Sequence, residues 1–213
     1  FEMEGNQVIA VGTDGRRLAR MEGAGESVGD HQTSGSSTIV PTRAIQLIER
    51  ALNDQDETVD VAARSNDLLV RTPRGVIYSR LVEGRYPNWR QVFPQRESAV
   101  QIDMTVGPLY SALRQASIVT DHESRGIDFT FANGTFTMEA STAEIGESQV
   151  ELPIPYDGEP ITLTLDHRYV ADFCKVLDNE MNFVLEIESD ASPALFMTDD
   201  GYGYVIMPMA RDR

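Results

Sequence analysis

The 213-residue sequence has little of the chemistry on which many secreted proteins and enzymes depend. It contains one cysteine and three histidines. A single cysteine excludes an internal disulfide and favours a reducing cytoplasm, and the scattered histidines lack the spacing typical of a zinc site. Cys174 lies among apolar residues of a predicted helix, which favours a small buried side chain over a nucleophile.

Long apolar runs and positive charge are also scarce. No run approaches the ~18 apolar residues that a membrane-crossing helix needs, and no charged-then-apolar leader opens the sequence. The chain carries 18 basic and 34 acidic side chains, a formal net charge of −16. This balance argues against a protein that grips nucleic acid through its whole surface. The 41% hydrophobic content is nevertheless sufficient for packed cores.

The acidic charge is unevenly distributed. Residues 1–95 carry 11 basic and 13 acidic side chains, whereas residues 96–213 carry 7 and 21. The change follows the stretch Gly84-Arg-Tyr-Pro-Asn-Trp-Arg-Gln-Val-Phe-Pro94, which has two prolines and the only tryptophan. Because proline disfavours helix for itself and for the residue before it, we expect an ordered, non-helical connector. The sequence therefore predicts two domains, 1–95 and 96–213.

A unit made of one strand, one helix and three strands recurs along the chain. The helices begin near residues 42, 107 and 167, so the repeat is about 60 residues long. Asp14-Gly15 and Asn133-Gly134 favour hairpin turns, and Asp166 is a suitable N-cap for the third helix. Residues 1–34 resemble the last strands of another unit, so we expect a fragment that starts partway through a fold.

The pattern predicts an α+β fold with three helices and fifteen short strands. The predicted helices cover 42–52, 107–118 and 167–177, and the predicted strands cover 1–3, 7–13, 16–21, 38–40, 58–63, 68–72, 76–82, 99–105, 127–131, 135–140, 148–154, 161–165, 182–188, 194–198 and 202–207.

Catalytic interpretations find little support. Asp121-His122-Glu123 and Asp199-Asp200 place acids together, but consecutive loop residues rarely converge on one ligand. No phosphate-cradling glycine motif or nucleophile elbow is present. The sequence therefore predicts no catalytic residue, metal or cofactor.

Two other features indicate binding surfaces. Basic residues recur at equivalent points of the predicted helices: Arg43, Arg50, Arg114, Arg168 and Lys175. This recurrence indicates a weakly positive surface. The alternative is an ordinary solvated helix face. At the C-terminus, Tyr204-Val-Ile-Met-Pro-Met209 is a soft apolar run that Pro208 prevents from continuing as a central strand. It fits a core strand with a tail, or the methionine-bearing edge of a peptide-binding groove.

Five stretches together resemble the bacterial sliding clamp family, the beta subunit of DNA polymerase III. They occur along the whole chain in the family's order: Val11-Gly-Thr-Asp-Gly-Arg-Arg-Leu-Ala19, Ile39-Val-Pro41, the stretch 84–94, Ser124-Arg-Gly126 and Val205-Ile-Met-Pro-Met209. The resemblance implies a DNA-clamp fold with helices on one side and antiparallel sheets on the other. Residues 1–95 would be a middle domain that lacks its N-terminal strand and helix, and residues 96–213 the C-terminal domain.

The resemblance also implies a non-catalytic processivity factor without a cofactor. The five bases would face duplex DNA, held weakly and without sequence preference, and Ile118 and Val119 would lie at the subunit interface. Full-length members form a homodimeric ring, whose closure we expect this fragment not to achieve. The DNA polymerase III alpha subunit, the clamp loader and other clamp-binding-motif proteins would bind a groove formed by Thr13, Gly15, Arg16, Arg17, Leu18, Pro87, Val92, Val205, Met207, Pro208 and Met209.

The sequence departs from the family pattern at two points. Arg16 stands where many members have histidine, and the chain ends Ala210-Arg-Asp-Arg213 instead of on an aliphatic residue. The rim of the groove is therefore expected to be more polar than usual. The alternatives are a repeat-built peptide-binding module unrelated to replication, which would lack an organised basic helix face, and an enzyme domain, which would need a convergent polar pocket.

Overall fold

The computed structural model describes residues 1–29, 38–53, 58–93, 99–121 and 125–210. The chain divides into two compact units, the first made of Phe1–Ala10 with Glu22–Asn88 and the second of Val11–Met21 with Trp89–Arg213. Among the described residues, no helix is long and apolar enough to cross a membrane.

In chain order the elements are β1 (Glu2–Glu4), β2 (Gln7–Thr13), β3 (Arg17–Ala24), α1 (Thr42–Ala51), β4 (Asp60–Ala63), β5 (Asp67–Thr72), β6 (Gly75–Arg80), α2 (Trp89–Val92), β7 (Val100–Thr105), α3 (Val106–Ala116), β8 (Gly126–Ala132), β9 (Thr135–Thr142), β10 (Gly146–Pro153), β11 (Ile161–Asp166), α4 (His167–Lys175), β12 (Asn182–Ile187), β13 (Ala194–Met197) and β14 (Gly203–Ile206). A 3-10 turn, Ser117–Val119, follows α3.

The first unit has a small core. Strands β4, β5 and β6 form an antiparallel sheet in that order. Alternate residues of β5, Leu68 and Val70, are buried, as expected for a strand with one face toward a core. On α1, Ala44 is buried while Leu47 is exposed. The alternation along β5 and the short apolar side of α1 thus produce this unit's core.

The second unit contains most of the buried apolar surface. One sheet has the order β10-β9-β8-β11, and in the other β3 pairs with β14, followed by β13, β12 and β7. Helices α3 and α4 pack against each other and against strands of both sheets. Phe131 and Phe136 stack 4.5 Å apart between centroids, and Phe173 of α4 is fully buried. This core supports the turn before β3 and the segment Met207–Ala210 after β14.

Two predicted elements are wrong. Residues 38–40 are not a strand: Thr38 exchanges backbone hydrogen bonds with Phe1, and Ile39 accepts one from Val82, but these isolated bonds form no ladder. Pro41, which has no N–H, ends the segment. The connector expected to be non-helical contains the single turn α2, closed by a bond from the Phe93 N–H to the Trp89 carbonyl at 2.8 Å.

Local sequence signals are confirmed where they depend on near neighbours. The Asp166 carboxylate accepts a hydrogen bond from the Arg168 N–H at 3.0 Å and caps α4. Asn133 and Gly134 both have positive φ, 50° and 75°, as a two-residue hairpin turn requires. The remaining predicted helices and strands are present, with ends shifted by a few residues.

Candidate functional site

Pairing between β3 and β14 joins segments from near the two ends of the chain. Leu18 lies opposite Val205, and both side chains are buried. Beyond the last paired residue, the Met207 N–H donates to the Arg16 carbonyl at 3.0 Å. The ladder thus places the turn before β3 beside the residues that follow β14.

The segment after β14, Met207–Ala210, leaves the sheet and is fixed at a second point. Pro208 has no N–H for a ladder, and the Met209 N–H donates instead to the Thr164 carbonyl of β11 at 2.8 Å. Gly126 allows this approach, because a Cβ there would lie 2.8 Å from Thr164 Cγ2 and 3.6 Å from the Met209 sulfur. Met207 and Met209 remain 44% and 39% exposed.

A pocket of about 470 Å³ lies beside this segment. Its volume is within the range of small-ligand sites, and it combines apolar and charged walls. The pocket is lined by Arg16, Arg125, Asp166, Tyr169, Met207, Pro208, Met209 and Ala210. All of these residues belong to the second unit.

Asp166 is already bound by its own helix. Arg168 donates to both of its carboxylate oxygens as well as from its backbone. Burial opposes ionisation, but these hydrogen bonds outweigh it and lower the pKa of Asp166. The adjacent His167 lies 3.2 Å from the Thr120 hydroxyl, and burial lowers its pKa. Asp166 is therefore ionised and paired near neutral pH.

Arg17 connects the turn before β3 to α4 and β14. Its Nε lies 3.0 Å from Asp14, and its Nη1 lies 2.7 Å from Asp172 and 3.0 Å from the Tyr204 hydroxyl. Its guanidinium carbon stands 4.5 Å from the centroid of the Tyr169 ring. The Tyr204 hydroxyl donates to the Tyr169 carbonyl at 3.1 Å, and burial raises the pKa of Tyr204 to about 12. Arg17 thus contacts Tyr169, which lines the pocket, without lining the pocket itself.

The predicted groove residues fall into three groups. Arg16, Met207, Pro208 and Met209 line the pocket. Thr13, Gly15, Arg17, Leu18 and Val205 build the hairpin and strands beside it; for example, the Thr13 hydroxyl donates to the Arg17 carbonyl and accepts from the Gly15 N–H. Val92 is exposed on α2, and Pro87 is exposed in the first unit. Their inclusion in one groove stays a prediction.

The sequence reasoning missed four pocket residues: Arg125, Asp166, Tyr169 and Ala210. Arg125 stood within a motif used for the resemblance, and Asp166 was predicted only as a cap. Tyr169 follows that cap by three positions, so it belongs to the first turn of α4. Asp166 and Met207 are 41 positions apart, so no local sequence signal places the start of α4 beside the C-terminal segment.

The predicted DNA-facing bases differ in their surroundings. Arg43, Arg50 and Arg114 are exposed and form no ion pair within the described part of the chain. Arg168 is paired with Asp166, and Lys175 lies 3.0 Å from Asp172. The orientation of all five toward DNA stays a prediction.

The predicted subunit-interface residues also differ. Ile118 is largely exposed, whereas Val119 is buried and its carbonyl accepts a hydrogen bond from the Thr142 hydroxyl. Only Ile118 therefore presents an apolar surface. Four predicted features lie outside the described residues: Pro94, most of Asp121-His122-Glu123, Ser124 and the final residues 211–213.

Comparisons with known proteins identify the family. The central domain of the DNA polymerase III beta subunit matches residues 1–88, and its C-terminal domain matches residues 90–210. The beta sliding clamp of Chlamydia pneumoniae is 28% identical over 93% of this chain and 53% of its own length. That of Haemophilus influenzae is 28% identical over 98% of this chain and 56% of its own. The chain thus spans about half the length of these curated relatives.

Solved structures agree with these matches. A DNA polymerase sliding clamp from Pseudomonas aeruginosa has a TM-score of 0.88 and 26% identity, covering 99% of this chain and 57% of that one. A sliding clamp from the same organism bound to griselimycin has a TM-score of 0.89 and 25% identity, covering 99% and 56%. The expected clamp fold is confirmed, whereas the domain boundary at residue 95 stays a prediction. The chain belongs to the DNA polymerase III beta subunit family.

Proposed function

We propose that this chain is part of a DNA sliding clamp, a non-catalytic processivity factor that works in the cytoplasm. In the whole protein, a homodimeric ring encircles duplex DNA and tethers the DNA polymerase III alpha subunit, the clamp loader and other clamp-binding-motif proteins. The observation that carries the tethering role is the pocket in which Arg16 meets the methionine-bearing segment Met207–Ala210. Family membership supports the remainder of the proposal.

The pocket is suited to a short peptide with apolar anchors. Burying one apolar side chain contributes roughly 1.5 to 3 kcal/mol, so a few anchors suffice for about micromolar affinity after ordering costs are subtracted. Methionine side chains adapt to differently shaped partners, as a shared binding site on a clamp requires. The related clamp solved with griselimycin supports a ligand-binding role.

We expect Met207→Ala to weaken binding of a clamp-binding-motif peptide from the alpha subunit by about tenfold or more, because it removes an apolar wall of the pocket. Isothermal titration calorimetry measures the change. Met21→Ala is the matched control, since Met21 is 39% exposed, close to the 44% of Met207, but lies outside the pocket lining. Equal losses for the two substitutions would rule out the pocket as the peptide site.

The DNA-facing role concerns the exposed helix bases. We expect replacement of Arg43, Arg50 and Arg114 by glutamine to reduce the slope of log affinity against log salt by up to about three, because each base neutralises one phosphate. Anisotropy with a labelled 30-base-pair duplex across a salt series measures this slope. Arg74→Gln is the control, because Arg74 is exposed on the turn between β5 and β6 and is absent from the proposed DNA-facing set. An unchanged slope in the triple variant would contradict the assignment.

A further inference from the structure

The first residue of β14 is a glycine that the backbone conformation does not require. Gly203 is buried and pairs with Met197 of β13 on one side and with Arg20 of β3 on the other. Its φ is not positive, so the backbone alone accepts an alanine at this position. Because a glycine weakens a strand and packs no side chain, its presence here indicates the close approach of another group.

The group that approaches Gly203 is the ring of Phe93. A Cβ at position 203 would lie 2.5 Å from Phe93 Cζ and 2.8 Å from its Cε2, well inside the roughly 3.5 to 4.0 Å at which carbon atoms pack. The sulfur of Met197 would lie 3.0 Å from the same Cβ. The ring and this sulfur therefore leave no room for a methyl group at position 203.

Phe93 directly follows the single turn α2, and its N–H donates to the Trp89 carbonyl at 2.8 Å. The two aromatic rings meet edge to face, with centroids 6.5 Å apart and planes at 83°. The guanidinium carbon of Arg20 stands 5.1 Å from the Phe93 centroid and 5.5 Å from the Trp89 centroid, within the range of cation–π attraction. All these residues belong to the second unit, so contacts with β3 and β14 attach α2 to that unit.

We propose that Phe93 and Gly203 form a latch that holds α2 against the second unit, and that Gly203 is the positioning residue of this latch. The absence of a side chain at position 203 lets the Phe93 ring reach the sheet, and the ring fixes the turn that precedes it. The two side chains are complementary in size, because in a close-packed contact a methyl group at position 203 requires a smaller side chain at position 93. The latch also sets the position of Val92, whose side chain is 43% exposed on α2.

Acrylamide quenching of fluorescence tests the latch, because Trp89 is the only tryptophan and is 6% exposed. In Gly203→Ala the added methyl group displaces the Phe93 ring, and we expect the quenching constant to rise about threefold as α2 detaches locally. The far-UV circular dichroism of the chain is expected to stay unchanged. Gly12→Ala is the matched control for quenching, since Gly12 lies in β2 and a Cβ there would meet nothing within 4 Å.

A second substitution assigns the effect to the pair of side chains. Phe93→Leu added to Gly203→Ala shortens the side chain that meets the new methyl group, and we expect quenching to return to within about 1.5-fold of the unsubstituted chain. Phe93→Ala alone removes the ring and leaves the sheet intact, so it serves if Gly203→Ala folds poorly. We expect this variant also to raise the quenching constant about threefold.

Three results would overturn the latch. Quenching of Gly203→Ala equal to that of the unsubstituted chain would show that the methyl group fits without moving the ring. Equal quenching of Gly203→Ala with and without Phe93→Leu would place the disturbance in the sheet instead of at the ring. A Trp89 that stays shielded in Phe93→Ala would show that other contacts hold α2. These measurements use neither peptide nor DNA, so their outcome is independent of the function proposed above.

Discussion

Phe173→Ala is expected to lower the free energy of unfolding of the second unit by about 3 to 5 kcal/mol, because removal of a fully buried aromatic ring leaves a cavity. Phe173 is 0% exposed. Its ring lies 4.9 to 5.9 Å, between centroids, from those of four other aromatic residues: Phe183, Phe196, Tyr202 and Tyr204. Phe183, Phe196 and Tyr204 belong to β12, β13 and β14, and Tyr202 directly precedes β14, so the ring of Phe173 fills a space between several elements.

Urea denaturation followed by tryptophan fluorescence measures this effect. The only tryptophan, Trp89, is buried in the second unit and reports on that unit. Val176→Ala is the control, because Val176 follows α4 directly but is 67% exposed, and we expect it to change stability by less than about 0.5 kcal/mol. Similar losses for the two variants would show that the aromatic cluster does not hold α4 in place.

The same cluster links the stability of the unit to the site. Phe173 lies one position after Asp172 and four after Tyr169, so the helix that presents both residues is anchored through this ring. Tyr204 contacts the ring on one side and donates its hydroxyl hydrogen to the Tyr169 carbonyl on the other. Tyr169, which lines the pocket, is therefore connected to the aromatic core through Tyr204.

The sequence predicted those parts of the fold that depend on local signals. The cap at Asp166, the Asn133-Gly134 turn and the start of α1 after Pro41 each depend on residues a few positions apart. Residues 38–40 were predicted wrongly because three β-branched residues in a row are typical of a strand, whereas here they form isolated bonds instead of a ladder. The single turn of α2 was not predicted, because the prolines at positions 87 and 94 flank it and proline disfavours helix.

The site was harder to predict because its contacts are distant in sequence. The resemblance named the hairpin and the C-terminal segment, but no spacing rule relates Arg17 to Asp172 or to Tyr204, 155 and 187 positions away. The groove role of Arg17 stays a prediction, and in the structure its guanidinium donates to Asp14, Asp172 and the Tyr204 hydroxyl. The register of β3 on β14 brings Arg17 near Tyr204, and the packing of α4 against β14 brings Asp172 to the same place.

Arg17→Met is expected to lower the free energy of unfolding by about 2 to 3 kcal/mol at pH 7, because it removes the donor shared by Asp14, Asp172 and the Tyr204 hydroxyl. Hydrogen bonds to charged groups contribute roughly 1.5 to 3 kcal/mol each when shielded from water. The Asp172 side chain is 43% exposed, so water replaces part of the lost interaction and the total stays below the sum.

Lys175→Met is the matched control, since Lys175 is the other base bonded to Asp172 and is more exposed than Arg17. We expect this control to cost less than about 1 kcal/mol. Arg17→Lys should recover less than half of the loss, because an ammonium cannot reach three acceptors in the planar geometry of a guanidinium. A cost for Lys175→Met equal to that of Arg17→Met would assign the effect to net charge instead of to the network.

The pH dependence provides an independent check on the same network. Burial raises the pKa of Asp172, but hydrogen bonds from Arg17 and Lys175 outweigh it and hold the pKa below the ordinary 3.8; Asp14 is shifted in the same direction. A carboxylate whose pKa is lowered by folding stabilises the folded state above its unfolded pKa and loses that contribution as the pH falls through the folded value. The difference between Arg17→Met and the unsubstituted chain should therefore be full at pH 7 and shrink below pH 3.8. Denaturation series at several pH values test this, and a difference that stays constant down to the acid transition would exclude the carboxylates as the source of the stabilisation.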